Sequence, residues 1–238
     1  MTQTQSEPAQ RKPAAEAGPE RAERKRRTQE ERSAETQRRL IEATLDALHE
    51  NGYARVTTSE IAERAGVSRG ALLHHYATKE ELVTVSVEKQ LQDSTAEIRS
   101  WLARVRSGDL KLDDFLDHLW EMYSGRLLFI TLEHITEARH NQPLRESLVP
   151  VVREFHMALD ATWREFFHGT PLSRDEVETV LNATTCLFRG MGVQTVLRQD
   201  GPYYEGLLAH WKAHVRGLVE LGGERAPDAD RGVSVPSP

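Results

Sequence analysis

The stretch Val56-Thr57-Thr58-Ser59-Glu60-Ile61-Ala62-Glu63-Arg64-Ala65-Gly66-Val67-Ser68-Arg69-Gly70-Ala71-Leu72-Leu73-His74-His75-Tyr76 decides the fold. Thr57 is placed to cap a helix, with Glu60 three residues on to complete a capping box and Val56 facing Ile61 as a hydrophobic staple. The helix runs to Ala65 and stops at Gly66, where positive φ carries no Cβ penalty. The device then repeats, with Ser68 as the cap and Val67 facing Leu72. Two short helices across a three-residue, glycine-containing turn form a helix-turn-helix, the geometry that sets a second helix into the major groove of DNA.

The start of that second helix carries matching chemistry. Ser68 offers a hydroxyl, Arg69 a guanidinium able to reach guanine or phosphate, and Gly70 a position where DNA can approach the backbone. The third helical residue is Ala71 rather than an acid, which would face the phosphates and be repelled. Leu72, with Ile61, Ala62 and Ala65, seals the pair on its inner side, and His74 and His75 stand further along. A third cap follows, Thr78 with Glu81, opening a long helix. Lys79, at its first position beside unpaired backbone N–H groups, is placed to hold a phosphate.

Outward from this core nearly everything keeps a helical period, and no alternating β-branched stretch calls for a sheet. A helix over 33–51 carries Leu40, Ile41, Thr44, Leu45 and Leu48 on one face and stops at Gly52. Beyond the helix-turn-helix, helices are expected up to about Arg106 and then over 110–123, 127–140, 144–168, 174–198 and 203–221. Their breaks are Ser107-Gly108-Asp109, Gly125, Asn141-Gln142-Pro143, Gly169-Thr170-Pro171 and Asp200-Gly201-Pro202. Residues 1–32 hold no large apolar side chain after Met1 and read as a flexible arm with a basic cluster at Arg24-Lys25-Arg26-Arg27. Residues 223–238 read as a second disordered tail.

The 238 residues are 38% hydrophobic and 29% charged, with a net charge of −6, which fits a globular protein with some unstructured tail. Residues 81–238 carry 17 basic against 24 acidic side chains, so any nucleic-acid surface must be a local patch. No apolar run approaches the roughly 20 residues of a membrane span, and the N-terminus is polar, so the chain is expected in the cytoplasm with no membrane partner. The single Cys186 is expected to be a small buried hydrophobe. No nucleophile elbow, phosphate loop or metal-spaced cluster is present, so no catalytic residue, metal or cofactor is expected. His210 and His214 have the i, i+4 spacing of a chelate but no third ligand nearby.

The run Thr57-Thr58-x-x-Ile61-Ala62-x-x-Ala65-Gly66-Val67-Ser68-Arg69-Gly70-Ala71-Leu72-x-His74-His75-Tyr76-x-x-Lys79-Glu80-x-Leu82 resembles the DNA-binding domain of TetR-family, tetracycline-repressor-like regulators. The resemblance is dense over about 33–91 and beyond that extends only to architecture. It implies an all-α protein: a three-helix DNA-binding domain over 33–91, with the helix-turn-helix at about 57–76, then a larger helical ligand-binding and dimerisation domain over 92–222. By resemblance Thr58, Ser68, Arg69, Gly70, His74, His75 and Lys79 occupy positions that touch DNA. Leu73 departs from the pattern, since many members carry there a tyrosine whose hydroxyl reaches a phosphate.

The same resemblance implies a homodimer on a double-stranded, palindromic operator, released by a small-molecule effector. Apolar stripes on the last two helices make Phe188, Leu207, Leu208, Trp211 and Val215 the candidate dimer interface. Gly190 and Gly192 mark a kink or a close helix contact. Trp120, Tyr123, His134 and Trp163 are the candidate pocket residues, and His118 and His140 are further histidines of that region; the implied effector is partly hydrophobic. Activation or ligand-independent regulation stays open beside repression, with a helical enzyme or a protein-binding scaffold as remote alternatives.

Overall fold

The computed structural model describes residues 19–168 and 172–223, so residues 1–18, the Gly169-Thr170-Pro171 break and the tail after Gly223 lie outside the described residues. Among those described, regular structure consists of helices: α1 (Pro19–Asn51), α2 (Thr58–Arg64), α3 (Arg69–His75), α4 (Lys79–Ser107), α5 (Leu112–Ser124), α6 (Arg126–Ala138), α7 (Gln142–Phe166), α8 (Arg174–Thr195) and α9 (Gly201–Gly223).

The three expected caps all form. Thr57 Oγ1 accepts from the Glu60 N–H at 3.2 Å, Ser68 Oγ from Ala71 N–H at 3.1 Å and Thr78 Oγ1 from Glu81 N–H at 3.1 Å. The reciprocal half of the first capping box does not form. Glu60 Oε1 instead accepts from the Asn51 side chain at 2.8 Å and from Arg64 at 3.0 Å, because a guanidinium one turn away outbids a neutral backbone donor. A complete box occurs at Ser173 and Glu176.

The helix α1 begins at Pro19, well ahead of Ser33, so residues 19–32 are helix rather than a flexible arm. Proline suits a first helical position, and the run of Ala, Glu, Gln, Arg and Lys behind it consists of strong helix formers. Lack of apolar residues denies that segment a core, but not a helix continuous with a packed one.

Leu40, Leu45 and Leu48 of α1 meet Ile61, Ala62, Ala65, Leu72 and Leu82 in one fully buried cluster, which holds the helix-turn-helix against α1 and the start of α4. α4 runs unbroken across residues 91 and 92, where the sequence suggests a domain boundary, and packs along α1 and α7. It ends in a Schellman turn: Gly108 has φ +83°, Gly108 N–H donates to Val105 O and Asp109 N–H to Arg104 O. The larger unit is built on the pairs α4 with α7 and α5 with α8, around Ile98, Leu102, Phe115, Leu116, Leu144, Trp163 and Phe188.

Besides α4, α6 also ties the two units together. The Arg126 guanidinium at the start of α6 reaches Glu42 and Asp46 of α1, each at 2.9 Å. Further along α6, Phe129 lies against His49, with ring centroids 5.9 Å apart, and His134 meets the edge of Tyr53 at 6.0 Å.

Gly192, not Gly190, is the close-contact glycine of α8. A Cβ there would lie 2.6 Å from the Tyr123 carbonyl oxygen and 2.6 Å from Leu128, where α5 passes into α6, whereas one at Gly190 meets nothing. Because the carbonyl belongs to the main chain and cannot swing away, Gly192→Ala should lower stability by about 1–3 kcal/mol in a urea titration. Gly190→Ala should be neutral or stabilising.

Candidate functional site

The turn between α2 and α3 is a second Schellman turn. Val67 N–H donates to Ala62 O at 3.0 Å and Gly66 N–H to Glu63 O at 2.9 Å, with Gly66 at φ +62°. The Arg39 guanidinium lies directly against Gly66, 2.5 Å from where a Cβ would stand. The turn therefore needs glycine for its backbone, whereas the Arg39 side chain beside it can swing aside.

The seven residues of α3 divide cleanly by face. Arg69, Gly70, Leu73 and His74 are exposed on one side, while Leu72 is fully buried on the other. At 100° per residue these four form one continuous strip. Ser68 is exposed at its head, and no acid lies anywhere in the helix. Leu73, 46% exposed, sits in the middle of the strip. His75 does not join it. It is half-buried and lies between His74 and Tyr76. Thr58 is half-buried as the first residue of α2.

Lys79 is placed differently from the free phosphate ligand its sequence position suggests. Its Nζ donates to the Tyr53 carbonyl at 2.6 Å and stands 4.0 Å from the Tyr53 ring centroid. A carbonyl and a π-face together offer a partly desolvated ammonium more than an open flank does. Burial holds its pKa below the ordinary lysine value, against Glu80 and Glu137. Reaching a phosphate requires the side chain to leave Tyr53.

A cavity of about 640 Å³ opens between α4, α6, α7 and α8. Its apolar wall is Val87, Leu91, Leu148, Val152, Phe155 and Met157, and its charged groups are Arg139, Arg145, Arg153, Arg189 and Asp160. Of the four candidate pocket residues, Trp120, Tyr123, His134 and Trp163, only His134 lines it. Trp120 is stacked on Tyr204 with its edge to Phe188, Tyr123 is buried, and Trp163 is stacked on Phe167 beside Phe115. Aromatic bulk drew Tyr123 and Trp163 into the core and Trp120 against it, leaving the cavity chiefly to aliphatic side chains and arginines. His118 is stacked on Trp101, and His140 is exposed.

His134 is 3% exposed. Its Nδ1 can only donate to the Ile130 carbonyl, which leaves Nε2 as a bare acceptor, and Nε2 is buried without a partner. Burial holds the imidazole below its ordinary pKa, outweighing Ile130 O, Glu133 and Glu137. The unfolded chain takes up this proton near the ordinary value of 6.5 and the folded chain only at lower pH, so stability is full above that pH and declines below it. The melting temperature should accordingly fall between about pH 7.5 and about pH 5.5, with a shallower slope in His134→Gln. An unchanged slope in the variant would contradict the buried, neutral histidine.

The dimer candidates divide by burial. Phe188, Leu208 and Val215 are buried inside the single chain, and Leu207 and Trp211 are half-buried, with the Trp211 indole N–H donating to Thr184 Oγ1 at 3.0 Å. An apolar helix stripe does not distinguish a partner from the rest of its own subunit, and here α5 and α8 take it. The exposed apolar side chains of this end are Val193, Val196 and Leu197, the last 94% exposed. Cys186 is exposed rather than buried, on the side of α8 opposite Thr184 and Phe188. Among the described residues no cluster of His, Cys, Asp and Glu could hold a metal, and no helix is long and apolar enough to cross a membrane.

A family model for bacterial regulatory proteins of the tetR family matches residues 40–84. The HTH-type transcriptional regulator CymR of Pseudomonas putida is 34% identical over 181 residues, 76% of this chain and 89% of its own. Among solved structures, the reduced form of NemR from Escherichia coli superposes with a TM-score of 0.60 at 16% identity, over 77% of this chain and 97% of that one. FadR from Bacillus subtilis, a transcriptional regulator solved with stearoyl-CoA, gives 0.53 at 17% identity, over 76% and 96%. Both structures share the fold.

Proposed function

The chain belongs to the tetR family of bacterial regulatory proteins and is a DNA-binding transcriptional regulator; from that premise we propose that it is a homodimeric repressor which a small molecule releases from a palindromic operator. The observation that carries the DNA-reading part is the exposed, acid-free strip of α3, headed by Ser68, Arg69 and Gly70 and fixed by a Schellman turn and a cap on either side. A rigid helix presented this way suits the major groove, with Arg69 as the base or phosphate contact and Ser68, Gly70 and His74 along the backbone. Leu73, at the centre of the strip, gives an apolar contact such as a thymine methyl rather than a hydroxyl to phosphate.

Dimerisation supplies the second reading helix. Val193, Val196 and Leu197 at the end of α8 and the small residues Ala209 and Ala213 of α9 are all exposed, which leaves both helices surface that a symmetry-related copy can cover. Selection of bound fragments from random DNA with the full chain tests the proposal. Recovery of two inverted half-sites about one or more helical turns apart is the expected outcome. A single unrepeated motif, or no enrichment, would overturn it.

Release is assigned to the helices that touch both units. Val87 and Leu91 line the cavity on the same α4 that begins at Lys79, directly after the cap following α3. His134 lines it on α6 and meets Tyr53, which in turn holds Lys79. A ligand that favours a different spacing of α4 and α6 would shift both copies of α3 together and lower operator affinity by its own differential binding.

A further inference from the structure

We propose that the cavity takes an amphipathic organic acid, its carboxylate paired with the Arg189 guanidinium and its hydrocarbon body laid along Leu91, Leu148, Val152 and Phe155. The inference rests on reading this cavity as the effector site and adds the class of ligand.

The charge balance of the wall is one-sided. Arg139, Arg145, Arg153 and Arg189 face Asp160 as the one acid among the lining residues. Among the described residues, Arg139, Arg153 and Arg189 take part in no ion pair. Arg189 stands apart from the others. Its Nε is buried and has no hydrogen-bond partner, and its guanidinium rests 5.5 Å from the centroid of the Tyr123 ring. A guanidinium held beside apolar surface without a counter-ion keeps a directional, unmet demand for a carboxylate, which it can satisfy through paired N–H donors.

The remainder of the wall excludes a small, fully hydrated anion as the intended occupant. The cavity is bounded chiefly by aliphatic side chains, and Ile135, Val149, Val152 and Met157 on its lining are exposed large hydrophobics. An apolar ligand body covers that surface, and a space of about 640 Å³ falls in the range of sites that enclose drug-sized molecules. His134 also lines the cavity, and its Nε2 is buried without a partner. As an unpartnered acceptor it suits a hydroxyl on the same ligand.

Calorimetric titration of the full chain with decanoate and 2-naphthoate, each beside its alcohol and amine counterparts, tests the proposal. At least one acid should bind roughly tenfold or more tightly than its uncharged and cationic counterparts. Arg189→Gln should remove that preference while leaving binding of the alcohol unchanged, and Arg189→Lys should retain part of it. Equal binding of alcohol and acid, preference for the amine, binding of none of the probes, or an acid preference that survives Arg189→Gln would overturn the ligand class. A parallel titration on the operator complex separates the two readings. Acid that binds with Arg189-dependent preference yet leaves the complex intact upholds the ligand class and defeats effector relief.

Discussion

Trp163→Ala is expected to lower the stability of the full chain by about 3–5 kcal/mol, the largest single-residue loss in the larger unit. The indole is 2% exposed, stacked on Phe167 with ring centroids 5.5 Å apart, and set edge-on to Phe115 of α5 at 5.8 Å. Removing it leaves a cavity bounded by Phe115 of α5 and by Phe167 just past the end of α7, helices that are pinned elsewhere and collapse only in part. The midpoint of a urea denaturation curve reads the effect directly. The same variant also separates two roles for this residue. A tryptophan at an effector site would lose ligand binding with modest destabilisation, whereas a core tryptophan loses stability first. A loss under about 1 kcal/mol would mean that the aromatic cluster does not hold α5 to α7.

Arg69→Ala is expected to weaken binding to the selected operator by about 1–3 kcal/mol, a factor of roughly 5 to 150, and to relax sequence preference at one position of each half-site. In a dimer both half-sites lose the contact, which places the effect toward the upper end of that range. Stability should hardly change, since Arg69 is exposed at the first position of α3 and takes part in no ion pair among the described residues. This combination distinguishes a reading residue from a structural one. Leu73→Tyr should move affinity the other way by adding a hydroxyl in reach of a phosphate. If Arg69→Ala bound all sequences as well as the parent chain, α3 would not be the reading helix.

Much of the first unit is legible in the sequence because its determinants are local. Thr57, Ser68 and Thr78 each sit three residues before the amide they cap, and Gly52, Gly66 and Gly108 stand where the chain turns with positive φ. What escapes the sequence depends on distant partners. Glu60 is claimed by Asn51 of the preceding helix, and Lys79 by Tyr53, 26 residues away. The helix over residues 19–32 is hidden by its lack of apolar residues, although its helix propensity is high throughout.

The cavity is hidden for a related reason. Aromatic content points to Trp120, Tyr123 and Trp163, but which face of α5 or α7 looks inward is set by packing among helices remote in sequence. A signal is nevertheless present in α7. Leu148, Val149, Val151, Val152, Phe155 and Met157 make an apolar face wider than one packed neighbour can cover, and part of it lines the cavity. Arg189 carries no such sign, since its neighbours on α8 read only as a core stripe. The dimer candidates divide for the same reason, with Phe188, Leu208 and Val215 buried in their own subunit and Leu207 and Trp211 left half-buried.

Whether α3 reads DNA sequence is tested most directly by fluorescence anisotropy of the full chain on a labelled duplex carrying the selected site, against a scrambled duplex of equal length and composition. The titrations are run at about 50 mM and about 200 mM salt, because phosphate contacts release counterions. Binding of the selected site should be at least about 10³-fold tighter than that of the scrambled one at the higher salt, with both affinities falling as salt rises. Equal affinity for the two duplexes, or no salt-sensitive binding to either, would contradict a sequence-reading role for α3.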